Sequence, residues 1–327
     1  MKRELPNRPN LDHLKSQAKD LLDGHRRRDP VAFRRIRDAL PAFAGSLDEE
    51  IASRPFALHD AQSAIAREYG FPSFAKLRAR VLFTQQPFPS ELVIRLLGKP
   101  PPADVDAALR DAFAKRDFDA LDALPTPDEL PVVAVRNALI SPGALAPLAI
   151  RRPSSLAALR SATAREPGLV ALFAQREQEV EQPSAVDLHV TGCLAVVRRL
   201  VSTEADVSWV VLEGVRWITL LELTRSEPFI VARVAPTEID EGDAVEIDAL
   251  DGELRNAARK LAQTLPQKEA ALAMIDAIAD PGRLSDLVMA NLPCSVAEKA
   301  AYAAEPALAT RLRSTLMFLE RELAKAG

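Results

Sequence analysis

Few residues of this chain combine a reactive type with a spacing that would let them act together. The four histidines, His13, His25, His59 and His189, are scattered, and only His189 and Cys193 fall near each other. An imidazole and a thiolate could share a metal ion, but four residues along a strand separate them by about 13 Å, beyond the reach of one ion. That spacing reads as structural. Carboxylates cluster at Glu49-Glu50, Glu177-Gln178-Glu179 and Asp240-Glu241, a pattern that acid–base catalysis uses when burial raises one of the two pKa values. All three clusters lie in polar loop sequence with abundant solvent, so nothing in the sequence supports acid–base work by them. Gly98-Lys99 is followed by Pro100-Pro101-Pro102, which stops the helix whose N-terminus would hold phosphates, so the Walker pattern is absent and no ATP site is read. Arg26, Arg27, Arg28, Arg34, Arg35 and Arg37 form a candidate anion patch, although such a run also serves as the solvated face of a helix. No catalytic residue, metal ligand or cofactor site is assigned.

Composition narrows the class. With 327 residues, 48% hydrophobic and 27% charged, the chain can bury two or three cores. No run approaches the roughly 20 apolar residues of a membrane helix, and Met1 to Pro6 lacks the apolar core of a signal peptide, so a cytoplasmic protein without a membrane partner is expected. Cys193 and Cys294 are too few and too far apart for a disulfide scaffold and read as buried thiols. Residues 1–82 carry 16 basic and 11 acidic side chains, about +5, leaving 26 and 35, about −9, for the rest. A basic module on an acidic body could steer an acidic partner or dock on its own acidic half.

The elements follow from periodicity. Asn10 caps a helix with Leu14, Ala18 and Leu21 on one face, and Asp29-Pro30 starts another that Pro41 ends. Residues 59–69 and 73–81 add two more, so residues 1–86 are expected as an all-helical module. Residues 87–128 read as a Pro-rich helical linker. From Leu130 the period shortens, and β-branched runs near 132–135, 169–173, 194–201, 207–212, 217–223 and 229–234 predict strands, with one helix at 154–164. Reversals are expected at Ser141-Pro142-Gly143, at residues 203–206 and at Glu213-Gly214. Residues 129–240 should then form a β-barrel. Beyond 241 helices return, with Asp280 capping Pro281 onward and Ser295 to Glu298 as a capping box.

The motifs Pro131 to Arg136, Ser141-Pro142-Gly143, Arg151 to Ser154, Val211 to Arg216 and Asp280 to Asp286, in this order, resemble the amino-terminal substrate-binding domain of Lon proteases. The resemblance covers about 130–325 and implies an α+β multidomain chain: a helical module, a PUA-like β pseudo-barrel, and a C-terminal helical bundle over 241–327. Pro142, Gly143, Glu213, Gly214, Arg216, Asp280, Pro281, Gly282, Arg283 and Asp286 carry the structural motifs, with Arg283 and Asp286 placed to tie the helix to the barrel. Two positions depart from the family pattern: Ser141 stands where Phe is usual, and Thr191-Gly192-Cys193 where Val-Gly-Thr is usual. Residues 5–22 and 66–74 resemble the helical segment that precedes ankyrin repeats in bacterial proteins, but no ankyrin signature follows.

The resemblance implies a stand-alone domain without the ATPase and Ser-Lys protease parts, hence no enzymatic activity and no cofactor. It points to a protein- or peptide-binding adaptor for unfolded or degron-bearing clients, partnered by a protease or chaperone. An apolar groove between barrel and C-terminal helices is expected near Trp209, Trp217, Leu221 and Phe229, each of which is also a natural core residue. The alternative is RNA binding through a PUA-like barrel and the basic N-terminal helices. A truncated-protease reading rests on family analogy alone.

Overall fold

The computed structural model describes residues 3, 5–6, 9–85, 102–202, 207–265 and 268–326. The reversal expected at 203–206 and most of the proline-rich pieces lie outside them. The chain forms two compact units, one of residues 1–87 with 266–277 and one of 88–265 with 278–327.

In the first unit α1 (Leu11–Arg26) begins where the Asn10 side chain accepts from the backbone N–H groups of Asp12 and His13. Asp29 caps α2 (Pro30–Ala39) in the same way, with proline pre-set for the first turn. A short α3 (Asp48–Ser53), not foreseen in the sequence, adds Ile51 to the core; α4 (Leu58–Glu68) and α5 (Phe74–Gln85) complete the set. Leu21, Ile36, Ile51, Ile65 and Leu77 lie at its centre.

The second unit starts with α6 (Ala103–Ala114) and α7 (Phe118–Asp122). These are not a connector. Val105, Leu109 and Ala112 form a helical stripe that must be buried somewhere, and it packs on Trp209 and Val211 of the sheet, while Leu121 joins Leu130 and Val132. The strands are β1 (Glu129–Val135), β2 (Leu145–Ile150), β3 (Leu169–Ala174), β4 (Thr191–Ser202), β5 (Ser208–Arg225) and β6 (Val231–Pro236), with α8 (Pro153–Thr163) between β2 and β3. The order is β2-β5-β4-β3-β1-β6, and a further pairing of β6 with β5 closes the ring into a pseudo-barrel. Only β1 and β3 run parallel among these pairs. Both faces are buried in alternation: Val133, Val135, Val170 and Leu172 in a cluster with α8, Val132, Ala171, Phe173 and Leu194 in another.

The Glu213-Gly214 reversal is overturned. Both residues sit inside one continuous 18-residue strand, β5, whose first half pairs with β2 and second half with β6. The ladder to β4 slips between Leu194 and Ala195, so Val215 is the extra residue of a bulge, and that bulge rather than a turn bends the strand from one neighbour to the other. Gly214 is required for a different reason: a Cβ there would lie 2.2 Å from the Ser141 carbonyl oxygen. Ser141-Pro142-Gly143 is a turn as expected, with Gly143 at φ +73° and the Ala144 N–H donating to the Ser141 carbonyl.

The C-terminal helices are α9 (Ala244–Gln263), α10 (Lys268–Ala277), α11 (Pro281–Asn291), α12 (Val296–Ala304) and α13 (Leu308–Ala326). In this unit α13 packs along α9 and α11. The helix α10 departs from the expected division at 240/241: it packs on α5 and belongs to the first unit, burying Ala270, Ala273 and Ile275. No helix among the described residues is long and apolar enough to cross a membrane.

Candidate functional site

Glu213 is a buried charge of the second unit with two cationic partners. Its carboxylate is fully buried and clamped from both sides, by Arg116 Nε on Oε1 at 2.8 Å and by Arg198 Nε and Nη2 on Oε2, both at 2.7 Å. The Arg116 guanidinium lies between the rings of Phe113 and Phe118, 5.4 and 5.3 Å from their centroids. Burial pulls the Arg116 pKa down and the Glu213 carboxylate opposes it. A carboxylate with two cations, all well bonded, is the condition under which a buried charge persists.

Arg198 of this clamp also borders a groove. Arg116 follows the end of α6, and Arg198 is the extra residue of a second bulge in β4, between Val197 and Arg199. Glu213 therefore ties the helix end to the bulge. Along β4, residues 193–196 have β3 on one side and β5 on the other, and Val197 N–H still donates to the Gly168 carbonyl. From Arg199 to Ser202, among the described residues, the strand pairs with β5 alone. A groove of about 690 Å³ lies between this stretch of β4 and α6. Leu200 and Val201 line its strand side; Ala107, Ala108 and Ala112 line the helix side, with Asp104 and Asp111 on the rim. Lys115 at the far end is held by Asp111 at 2.8 Å, whereas Arg199 is exposed. Small side chains on the helix leave room for a polypeptide backbone, and an open strand edge offers it hydrogen-bonding groups.

A second polar centre ties α11 to the barrel. Asp286 Oδ1 accepts from Trp217 Nε1 at 2.9 Å and from the Tyr302 hydroxyl at 2.8 Å. Ser285 bonds Tyr302 and Thr315, and the Arg311 guanidinium lies 5.5 Å from the Tyr302 ring centroid. Burial pushes the Asp286 carboxyl up to about 6 against the pull of Trp217, Arg311 and Tyr302. Every side chain here is satisfied and enclosed, so the centre joins elements and offers no opening to a ligand.

The structure does not gather the four candidate groove residues. Trp209 is covered by α6, Trp217 is the donor to Asp286, and Phe229 lies in the cluster with α8, beneath the Arg225 guanidinium. Leu221 alone is exposed. The groove described above lies between α6 and β4. The arginine patch is divided: Arg35 makes a bidentate pair with Glu68 at 2.8 and 2.9 Å, Arg37 bonds Asp48 and the Ser46 carbonyl, and Arg26 pairs with Asp23, while Arg27, Arg28 and Arg34 are exposed. The motif residues act as joints. Arg216 holds the carbonyls of Asp122 and Leu124 at the end of α7, and Arg283 reaches Asp122. Asp280 caps α11 through Arg283 N–H, Pro281 fills the first turn, and a Cβ on Gly282 would touch Leu308 at 3.4 Å. Arg116 and Arg198 went unread in the sequence. Their signal was Glu213 itself, an acid between Val210-Val211-Leu212 and Gly214-Val215, which no strand core tolerates without cationic partners.

The family model for the ATP-dependent protease La (LON) substrate-binding domain matches residues 129–321. This chain belongs to that family. The Lon substrate-binding domain thus spans the barrel and the C-terminal helices, and leaves α1 to α7 outside the match. Among similar proteins, Lon protease 2 of Myxococcus xanthus is 31% identical over 198 residues, covering 60% of this chain and 24% of that protein. The Lon protease of Anaeromyxobacter dehalogenans is 32% identical over 199 residues, covering 60% and 23%. The chain therefore spans about a quarter of the length of these curated relatives. The N-terminal domain of the Mycobacterium avium complex Lon protease is a similar solved structure, 20% identical, with a TM-score of 0.49 over 59% of this chain and 98% of that one.

Proposed function

We propose that this Lon-type domain acts as a polypeptide-binding module without catalysis of its own, an adaptor that holds extended segments of unfolded or degron-bearing clients along β4. The observation that carries the reading is the edge of β4 from Arg199 to Ser202, unpaired among the described residues and beside a groove that Ala107, Ala108 and Ala112 help to line. An extended chain laid there would add a strand to the sheet, its main chain bonding the edge and its side chains alternating between α6 and solvent. The rim favours a segment with a basic residue toward Asp104 and an acidic one toward Arg199. Family membership supports a substrate-binding role, and a cytoplasmic protease or chaperone would be the natural recipient of the client.

Fluorescein-labelled casein, an unfolded polypeptide, serves as the probe, and anisotropy reads its binding. Ala107 is exposed in the groove, so Ala107→Trp fills the groove without disturbing a core and should weaken binding by at least tenfold. Unchanged binding by this variant would remove the groove from the reading. A labelled single-stranded RNA in the same assay, at low and at high salt, tests the alternative: RNA held by the exposed Arg27, Arg28 and Arg34 would dissociate steeply as salt rises.

A further inference from the structure

Arg136 follows the end of β1, Gln175 follows the end of β3, and Arg152 stands at the start of α8. The parallel pairing of β1 with β3 brings the first two side by side, and Gln175 N–H donates to the Val135 carbonyl at 2.9 Å. All three side chains converge on one carbonyl of a loop. Val180 O accepts from Arg152 Nη2 at 2.9 Å, Gln175 Nε2 at 2.9 Å and Arg136 Nη2 at 3.4 Å. The next residue, Glu181, places its carboxylate 2.9 Å from Arg136 Nη2 and 3.6 Å from Arg152 Nε, the latter too long for a hydrogen bond.

The convergence is oversized for what it holds. Two guanidiniums share one carboxylate, and the Glu181 side chain is 74% exposed. Around it Arg176 to Glu179 and Gln182 are exposed as well, and the apolar burial of this stretch comes from the half-buried Val180 and the buried Pro183. Meanwhile three buried polar atoms have no hydrogen-bond partner: Arg136 Nε, Arg152 Nε and Gln175 Oε1. Gln175 is 3% exposed, so its free oxygen is enclosed beside the two arginines. Buried polar groups left unpaired are costly, and this set, two donors and one acceptor, is complementary to a peptide unit with its C=O and N–H. Burial and the neighbouring Arg136 charge also pull the Arg152 pKa down, which an added anion would relieve.

We propose that Arg136, Arg152 and Gln175 form a socket for an acidic residue of an extended polypeptide, and that Val180-Glu181 occupies it as an internal stand-in. An incoming acid takes the Glu181 position on the two guanidiniums, its preceding carbonyl takes that of Val180, and its main chain meets the unpaired Nε and Oε1 atoms. The socket uses none of the β4 edge. It gives the module a specificity for acidic residues, held in check by the chain's own loop, since a tethered competitor acts at an effective concentration in the millimolar range.

The test uses the full chain and two C-amidated, fluorescein-labelled peptides, Gly-Val-Glu-Gly and Gly-Val-Gln-Gly, read by anisotropy. Glu181 is exposed, so Glu181→Ala leaves the fold intact and removes the competing carboxylate. It should tighten binding of the glutamate peptide by about tenfold and leave the glutamine peptide weak. Arg152→Gln added to Glu181→Ala should abolish the gain, and Ala107→Trp should leave it unchanged, which separates this socket from the groove. Equal binding of the two peptides, or no gain from Glu181→Ala, overturns the proposal; loss of the gain in Ala107→Trp would assign the peptide to the groove instead.

Discussion

At the scale of single residues the domain depends on two buried acids in opposite situations. Glu213 has more than enough cationic partners, and removing its charge strands Arg116, whose side chain is only 5% exposed. Glu213→Gln should therefore cost about 3 kcal/mol in urea unfolding, because breaking a buried pair leaves the other charge uncompensated; a loss below about 1 kcal/mol would mean that Arg116 escapes to solvent. Asp286 is the reverse case, its carboxyl pushed up from 3.8 to about 6 by burial, beside Trp217, Tyr302 and Arg311. Between about pH 4 and pH 6 the folded chain then binds more protons at this site than the unfolded chain does. Its contribution is full at low pH and is lost as pH rises through 6, a difference on the order of 3 kcal/mol. Asp286→Asn keeps an acceptor for Trp217 and Tyr302 and should flatten that slope, as measured by urea midpoints from pH 4 to pH 7.

Among elements, the strand β5 decides the barrel. Its 18 residues serve two sets of neighbours, and the bulge at Val215 beside Gly214 makes the change of direction. A side chain at 214 would need the Ser141 turn to move, whereas a side chain on Gly252, in the middle of α9, would meet nothing within 4 Å. The two glycines should respond in opposite directions to the same change. Gly214→Ala should lower the melting temperature sharply, and Gly252→Ala should stabilise by about 0.5–1 kcal/mol through helix propensity. Equal effects, read by thermal unfolding, would place the strain elsewhere. The helix starts were legible in advance because a cap is a conversation between neighbours: Asn10 with Asp12 and His13, Asp280 with Arg283, Ser295 with Glu298. The bulge was not legible, since an acid and a glycine in sequence look alike in a turn and in a bent strand, and only the partner strands distinguish them.

At the scale of the whole molecule, the first unit is completed by α10 from the C-terminal half, whose Ala270, Ala273 and Ile275 are buried there. A chain begun at residue 103 should leave that face uncovered, bind an apolar dye such as ANS, and be cut by protease within 268–277; resistance to cleavage there would mean that α10 finds another cover in the second unit. The sequence by itself determined the family, the helix starts, the Ser141-Pro142-Gly143 turn and the presence of strands after Leu130, because each is written in residues within a few positions of one another. Tertiary structure alone decided that α6 belongs to the barrel, that α10 belongs to the other unit, and that β4 from Arg199 to Ser202 pairs with β5 alone among the described residues. It also chose the partners of Glu213, one of which lies 97 residues away along the chain. The apolar stripe on α6 and the lone acid in β5 each announce that a partner must exist, by the cost of leaving them bare, but a stripe or a charge fits any complementary surface, and which one it meets is set only when the chain closes on itself.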